Sequence, residues 1–237
     1  MFVLFFVFLQ IVFVNLIWLL QKLRAEIFGL HHKNPETRKI NQIIKKLNDG
    51  AVMLYPTDTG FTLGCELGNK SAIEKLRQIR RISDKKSLTF LCHNLSNISE
   101  YANVSNLAYK TIKKLIPGPF TFILPATKQV PKLALNPLRK TAGIRVPNSV
   151  LANALIEAMG NPIISISAKI DTEDDDEFIY LEPDEIIDRF MNFVDIVVCT
   201  EEYRFTGEST VIDMVSDNFE IIREGAGYDE VAAVLDL

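Results

Sequence analysis

Short apolar runs that end in hydroxyls or arginine alternate with amphipathic segments along this chain, and that alternation constrains its fold more than any other feature. Ala51–Tyr55, Phe61–Cys65, Leu88–Cys92, Phe120–Leu124, Thr141–Val146, Pro162–Ser167 and Val194–Cys199 read as strands, with Ser209–Asp213 and Glu220–Arg223 closing the set. The first is predicted to break at Pro56, which has no ladder donor. Between the strands the period changes. Asn34-Pro35-Glu36 predicts a helix start, with Asn34 as the cap and Ile40, Ile43, Ile44 and Leu47 on one face, ending at Gly50. Ser71 to Ile82 is predicted helical, with Ile73, Leu76 and Ile79 on one face and Lys75, Arg77, Arg80 and Arg81 elsewhere. Ser105 and Ser149 are predicted caps of two further helices, stopped by Pro117 and Gly160, and Pro183–Phe190 is another helix. The expected fold is α/β: a single-domain twisted mixed β-sheet with helices on its faces, spanning 31–227 and followed by a C-terminal tail at 228–237.

Charge is divided unevenly. Residues 70–145 hold 15 Lys and Arg against 3 Asp and Glu, whereas residues 146–237 hold 4 against 22. Cations concentrated on one face would attract a polyanion, either a nucleotide or RNA, unless the acidic third folds beside them. Part of that acidic third, Asp171 to Glu177, reads as a solvent-exposed loop. The first twenty residues contain only Gln10 and Asn15 as polar side chains, and Lys22 and Arg24 follow. Two readings stand for residues 1–24. One is an N-terminal apolar helix in contact with a membrane through residues 1–20, leaving the domain in the cytoplasm. The other is a stretch upstream of the true start. The domain is expected to be cytoplasmic in both.

Several chemistries are excluded by pattern. G-x-G-x-x-G, G-x-x-x-x-G-K-[ST], H-E-x-x-H and G-x-S-x-G are all absent. Cys65, Cys92 and Cys199 are unpatterned, so no metal site is expected, and Cys92 reads as a buried thiol rather than a nucleophile. His31, His32 and His93 read as surface or structural residues. What remains is hydroxyls and arginines at strand ends: Tyr55-Pro-Thr-Asp-Thr-Gly60, Thr141 with Arg145, and Ser165-Ile-Ser-Ala-Lys169. Each cluster alone is also ordinary turn or cap chemistry. Together they suit an oxyanion ligand, because hydroxyls and guanidinium groups hold phosphate and carboxylate oxygens.

These blocks, with Leu63-Gly64, Pro117-Gly-Pro-Phe-Thr121, Gly143-Ile-Arg-Val-Pro147, Ser209-Thr-Val211 and Arg223-Glu-Gly225, occur in the order of the YrdC/YciO family, which the chain resembles from about His31 to Gly227. The resemblance implies a threonylcarbamoyl-AMP synthase-like activity in tRNA threonylcarbamoyladenosine modification. Such an enzyme joins L-threonine, bicarbonate and ATP, with Mg²⁺, and forms no covalent intermediate on a protein nucleophile. It implies that Thr59, Arg145, Ser165 and Ser209 bind threonine, with Arg145 on the carboxylate. It implies that Arg80, Thr141, Ser167 and Arg223 bind the nucleotide.

The departures lean toward the YciO branch. Gly60-Phe-Thr-Leu63 stands where synthases have x-Tyr-Gly-Leu. Arg80-Arg81-Ile82 replaces Lys-x-Arg, and Lys169-Ile-Asp171 follows Ser-Ala where Asn is typical. Arg139-Lys140 before Thr141 is a further YciO-like feature. One lost triphosphate cation is worth about 1.5–3 kcal/mol unless Lys85, Lys86 or Lys169 replaces it. Three functions therefore stand at this point: the adenylate synthase, a protein binding tRNA or double-stranded RNA through phosphate contacts, and a related enzyme acting on a different nucleotide or carbamoyl substrate. For the first, Arg145→Ala is expected to abolish turnover with the fold intact.

Overall fold

A computed structural model describes residues 24–83, 86–169 and 182–236. Its strands are β1 (Glu26–Gly29), β2 (Met53–Thr57), β3 (Gly60–Glu66), β4 (Thr89–Leu91), β5 (Phe120–Pro125), β6 (Thr141–Arg145), β7 (Ile163–Ser167), β8 (Ile196–Cys199), β9 (Thr210–Asp213) and β10 (Glu220–Arg223). They form one mixed sheet in the order β1-β8-β2-β3-β7-β4-β6-β5-β9-β10. The helices are α1 (Thr37–Asn48), α2 (Lys70–Ile79), α3 (Leu95–Tyr101), α4 (Asn106–Leu115), α5 (Val150–Met159), α6 (Pro183–Phe190) and α7 (Tyr228–Leu235).

Residues paired across a ladder share a face of the sheet, and their chain neighbours share the other. Leu54, Leu63, Phe90, Ile144, Phe122 and Ile212 lie on one face, packed with Ile73 and Leu76 of α2, Ile98 of α3, Ile112 of α4, Phe190 of α6 and Val231 of α7. The opposite face carries a second, smaller core. There Phe28, Met53, Tyr55, Leu91, Ile163, Ile196 and Val198 pack on Ile40, Ile43 and Leu47 of α1 and Leu151, Leu155 and Ile156 of α5. On this face the β3-β7-β4-β6 register changes from apolar to polar. Thr62 pairs with Ser167, Gly64 with Ser165, Ser165 with Thr89, and Thr89 with Gly143. Those side chains belong to neither apolar core.

Several boundaries differ from the sequence reading. β2 runs through Pro56, which pairs with Phe61. β8 reaches only Met53 and Leu54 of β2, so Pro56 lies where that side of the strand has no ladder to satisfy. Helix α1 starts at Thr37 with Glu36, not Asn34, as its N-cap. The Glu36 backbone is extended, and its carboxylate accepts from the His31 N–H at 3.2 Å and from Lys39 Nζ at 2.6 Å. Residues 228–235, expected as part of a tail, form α7, whose Val231 is buried in the larger core. Gly227 opens α7 at φ +75°, and a Cβ there would meet Phe120 Cε1 at 2.5 Å. β1 lies before the expected domain start and pairs with β8 in parallel. Ser105 and Ser149 cap α4 and α5 as expected, accepting the amide N–H of Ala108 and Ala152.

Among the described residues no helix is long and apolar enough to cross a membrane. The expected apolar helix at 1–24 (save Arg24), the acidic loop at 171–177 and Lys85 lie outside the described residues.

Burial pushes the Cys65 and Cys92 thiols up to about 12 and raises Cys199 as well. Native protein at pH 8 is therefore expected to leave Cys65 and Cys92 unreactive toward a thiol reagent, all three cysteines reacting once it is unfolded. Fast native labelling of either buried thiol would contradict this. Ile43 and Leu47 are fully buried under the second face. Leu47→Ala is expected to lower stability by about 2–5 kcal/mol, read from denaturant unfolding.

Candidate functional site

Sheet twist brings diagonally opposite corners of a sheet over one face. Here the two corners are the β2–β3 hairpin tip and the C-terminal end of β6. The hairpin turns through Asp58 and Thr59 between the Thr57–Gly60 pair. Thr57 Oγ1 donates to the Gly60 carbonyl at 2.9 Å, and the Thr59 amide donates to Thr57 Oγ1 at 3.3 Å, so the turn is internally braced. From the other corner, Arg145 donates through Nη1 to Thr59 Oγ1, through Nη2 to Asp58 Oδ1, and through Nε to the Gly118 carbonyl at 3.4 Å. Both charged partners are buried, Arg145 at 5% and Asp58 at 8% exposure. Burial pulls the Arg145 pKa down; Asp58 opposes that shift and the nearby Arg223 adds to it.

Arg223 reaches this face through an irregularity in β10. Ile221 pairs with Ile212, but Arg223 rather than Ile222 pairs with Val211. This bulge sets Arg223 on the same face as Val211 and its other partner, Thr121. Arg223 then donates to the Ser209 carbonyl at 2.8 Å and to Ser209 Oγ at 3.0 Å, while Ser209 Oγ also lies 2.9 Å from Thr121 Oγ1. Thr121 follows the Phe122–Ile144 pair and therefore lies beside Arg145. Gly143 forms the floor between: a Cβ there would meet Thr89 Oγ1 at 3.4 Å and Thr121 Cγ2 at 3.5 Å.

The structure thus joins Thr59 with Arg145 and Ser209 with Arg223, and sets the two pairs near each other. Lys169 comes to the same region, 3.8 Å from Glu208 Oε1, whose other oxygen lies 3.2 Å from Arg223 Nη1. Ser167 is exposed at the end of β7 and Thr141 is buried at the start of β6, both on this face. Ser165 is also there, but it is 1% exposed and its hydroxyl sits 2.8 Å from the Tyr55 hydroxyl. Burial raises the Tyr55 pKa, so that hydroxyl stays protonated. Arg80 is buried at the C-cap of α2, a helix of the opposite face, and no hydrogen bond between described residues joins it to Arg145 or Arg223. Lys86 is exposed, and its carbonyl accepts from Arg77. Ile82, which replaces the second cation of the synthase pattern, packs against the larger core.

Two features were missed from sequence. Asp58 stood inside a recognised block, but its pairing with Arg145 depends on the sheet's twist. Glu208 adjoins Ser209 and carried no signal of its own. Asp58 also corrects the expectation for Arg145→Ala: truncation leaves a buried carboxylate without its cation, which costs about 3–5 kcal/mol. That variant would lose stability as well as function.

A separate cluster joins the loops after β1 and β8. His31 Nε2 lies 3.5 Å and His32 Nδ1 2.6 Å from Glu201 Oε1. Hydrogen bonds from its own backbone and from His32 hold the Glu201 carboxyl down at about 2. These atoms are close enough to hold a metal ion. However, the amides of Lys33 and Asn34 both donate to His31 Nδ1, which leaves the ring proton on the Nε2 that faces Glu201. As built, the cluster is a hydrogen-bonded clasp between two loops.

Residues 45–225 match the family model Sua5_yciO_yrdC, described as "Telomere recombination". The chain is 39% identical over 203 residues to the Escherichia coli protein named "Uncharacterized protein YciO", covering 86% of this chain and 97% of that one. The crystal structure of E. coli YciO superposes with a TM-score of 0.76 over 85% of this chain and 96% of that one. A threonylcarbamoyl-AMP synthase of Vibrio vulnificus is 30% identical over 134 residues, 55% of this chain and 72% of that protein. The fold is also that of P. abyssi Sua5 complexed with L-threonine, at TM-score 0.79 and 24% identity over 89% of this chain and 61% of that one. The mixed sheet, its hydroxyl-bearing face and this match over most of the chain agree: the protein belongs to the Sua5/YciO/YrdC family and is related to the threonylcarbamoyl-AMP synthases.

Proposed function

We propose that this protein catalyses a carbamoyl-adenylation in which L-threonine, bicarbonate and ATP give threonylcarbamoyl-AMP and pyrophosphate for tRNA modification. The observation that carries the reading is the meeting of Arg145 with Thr59 on a hydroxyl-bearing face, beside Ser209 and Arg223. The named activity of the V. vulnificus relative and the threonine bound to P. abyssi Sua5 support it.

The residue chemistry suits the reaction. Three of the five Arg145 N–H groups are engaged by Thr59, Asp58 and Gly118, so two remain for the threonine carboxylate. The Thr59 and Ser209 hydroxyls line the same subsite, and Ser165 acts through Tyr55, whose hydroxyl it holds. Arg223, Thr141, Ser167 and Lys169 supply the nucleotide side. Threonine's amine and bicarbonate form a carbamate with release of one water; the carbamate attacks the α-phosphorus with one oxygen, and pyrophosphate leaves. The attacking oxygen belongs to the substrate, so the protein contributes positioning and charge stabilisation instead of a nucleophile. The protonated, buried state of Cys92 accords with that.

Purified protein given ATP, threonine, bicarbonate and Mg²⁺ is expected to release pyrophosphate only when threonine is present. No release, with salt-dependent binding of duplex RNA, would replace this reading with the RNA-binding one. Arg145→Gln combined with Asp58→Asn removes both buried charges together. The pair is expected to keep the fold and lower threonine-dependent turnover by about a hundredfold or more. Arg223→Gln keeps an amide donor for the Ser209 carbonyl but removes the cation from this partly exposed position. The variant's ATP affinity should fall while its circular dichroism spectrum stays native.

A further inference from the structure

Glu208 stands where the proposed anion site is most basic, yet it is an anion itself. Its Oε2 lies 3.2 Å from Arg223 Nη1 and its Oε1 3.8 Å from Lys169 Nζ. Its side chain is 25% exposed, so it sits at the rim rather than in the core. Its backbone is fixed, the carbonyl accepting from the Ala226 amide at 2.7 Å. Together with Asp58 on Arg145, it leaves each of the three cations Arg145, Arg223 and Lys169 facing a carboxylate of the protein.

A phosphate group drawn to Arg223 and Lys169 arrives next to Glu208. A bare triphosphate must displace this carboxylate from its cations and remain beside it, with like charges in contact. A triphosphate carrying a divalent cation meets no such conflict. Mg²⁺ is held by one or two carboxylates together with substrate phosphates, and Glu208 between two phosphate-facing cations is such a carboxylate. The donor set therefore fits the ion that the proposed reaction employs.

We propose that Glu208 makes the anion subsite selective for a nucleotide that already carries a divalent cation. This rests on the function proposed above and adds to it the charge state of the nucleotide that is accepted. Calorimetric titration with ATP, in Mg²⁺ and separately in EDTA, tests it on the full-length protein and on Glu208→Gln and Glu208→Asp. The unaltered protein should bind ATP at least about tenfold more tightly with Mg²⁺ than with EDTA. Glu208→Gln should bind metal-free ATP about tenfold more tightly than the unaltered protein does, with the two conditions brought close together. Glu208→Asp keeps the charge and should keep the dependence on Mg²⁺. Equal metal-free affinities in the unaltered protein and Glu208→Gln would overturn the inference and leave the proposed function standing. ATP binding by none of the three proteins, in either condition, would overturn both.

Discussion

The contact between Arg145 and the Asp58–Thr59 turn is the constraint on which the functional face depends. It ties the far end of β6 to the tip of the β2–β3 hairpin, two places that the ladder register sets at opposite ends of their strands. Without it, the hydroxyls of β3, β7 and β4 and the arginines of β6 and β10 would lie on one sheet but around no common point. Thr206 strengthens the same corner, donating to the Asp58 carbonyl from its amide at 2.8 Å and from its hydroxyl at 2.9 Å. A buried ion pair is weak evidence for net stability, since desolvation offsets much of its attraction. Its value here is geometric, because it fixes where a guanidinium points.

Two kinds of information were legible in the sequence. Apolar runs marked the strands that are buried on both sides, such as β2, β3 and β6, and capping serines marked α4 and α5. Elements that bury little were not visible. β1 buries only Phe28 of its four residues, and α3 is a short helix capped by Asn94 whose buried residues are Ile98 and Tyr101. α7 follows the Gly225-Ala-Gly227 stretch, which reads as an ending until the Phe120 ring is seen to demand glycine at 227.

The site divides in the same manner. Thr59, Arg145, Ser209 and Arg223 could be named because they fall in the short blocks that carry the family resemblance. Their partners could not, because partners are set by face and register. The bulge at Ile222 decides the side on which Arg223 lies, and one residue in a ladder leaves no periodic trace. Ser165 shows the converse. Its place on a strand was legible, but the Tyr55 hydroxyl that its own hydroxyl meets comes from a strand 110 residues away in sequence.

The carboxylates account for how such a face stays folded. Burial lowers the Arg145 pKa and repulsion by Arg223 adds to that, and Lys169 is a third cation nearby. Asp58 and Glu208 neutralise much of that charge from within the chain. The affinity of an anionic ligand is then the difference between what it gains from the cations and what the resident carboxylates already gain. Such a face discriminates by the charge a ligand brings rather than by the number of contacts it makes. That is why a carboxylate at the rim, where it weakens attraction for every anion, can still improve selection among them.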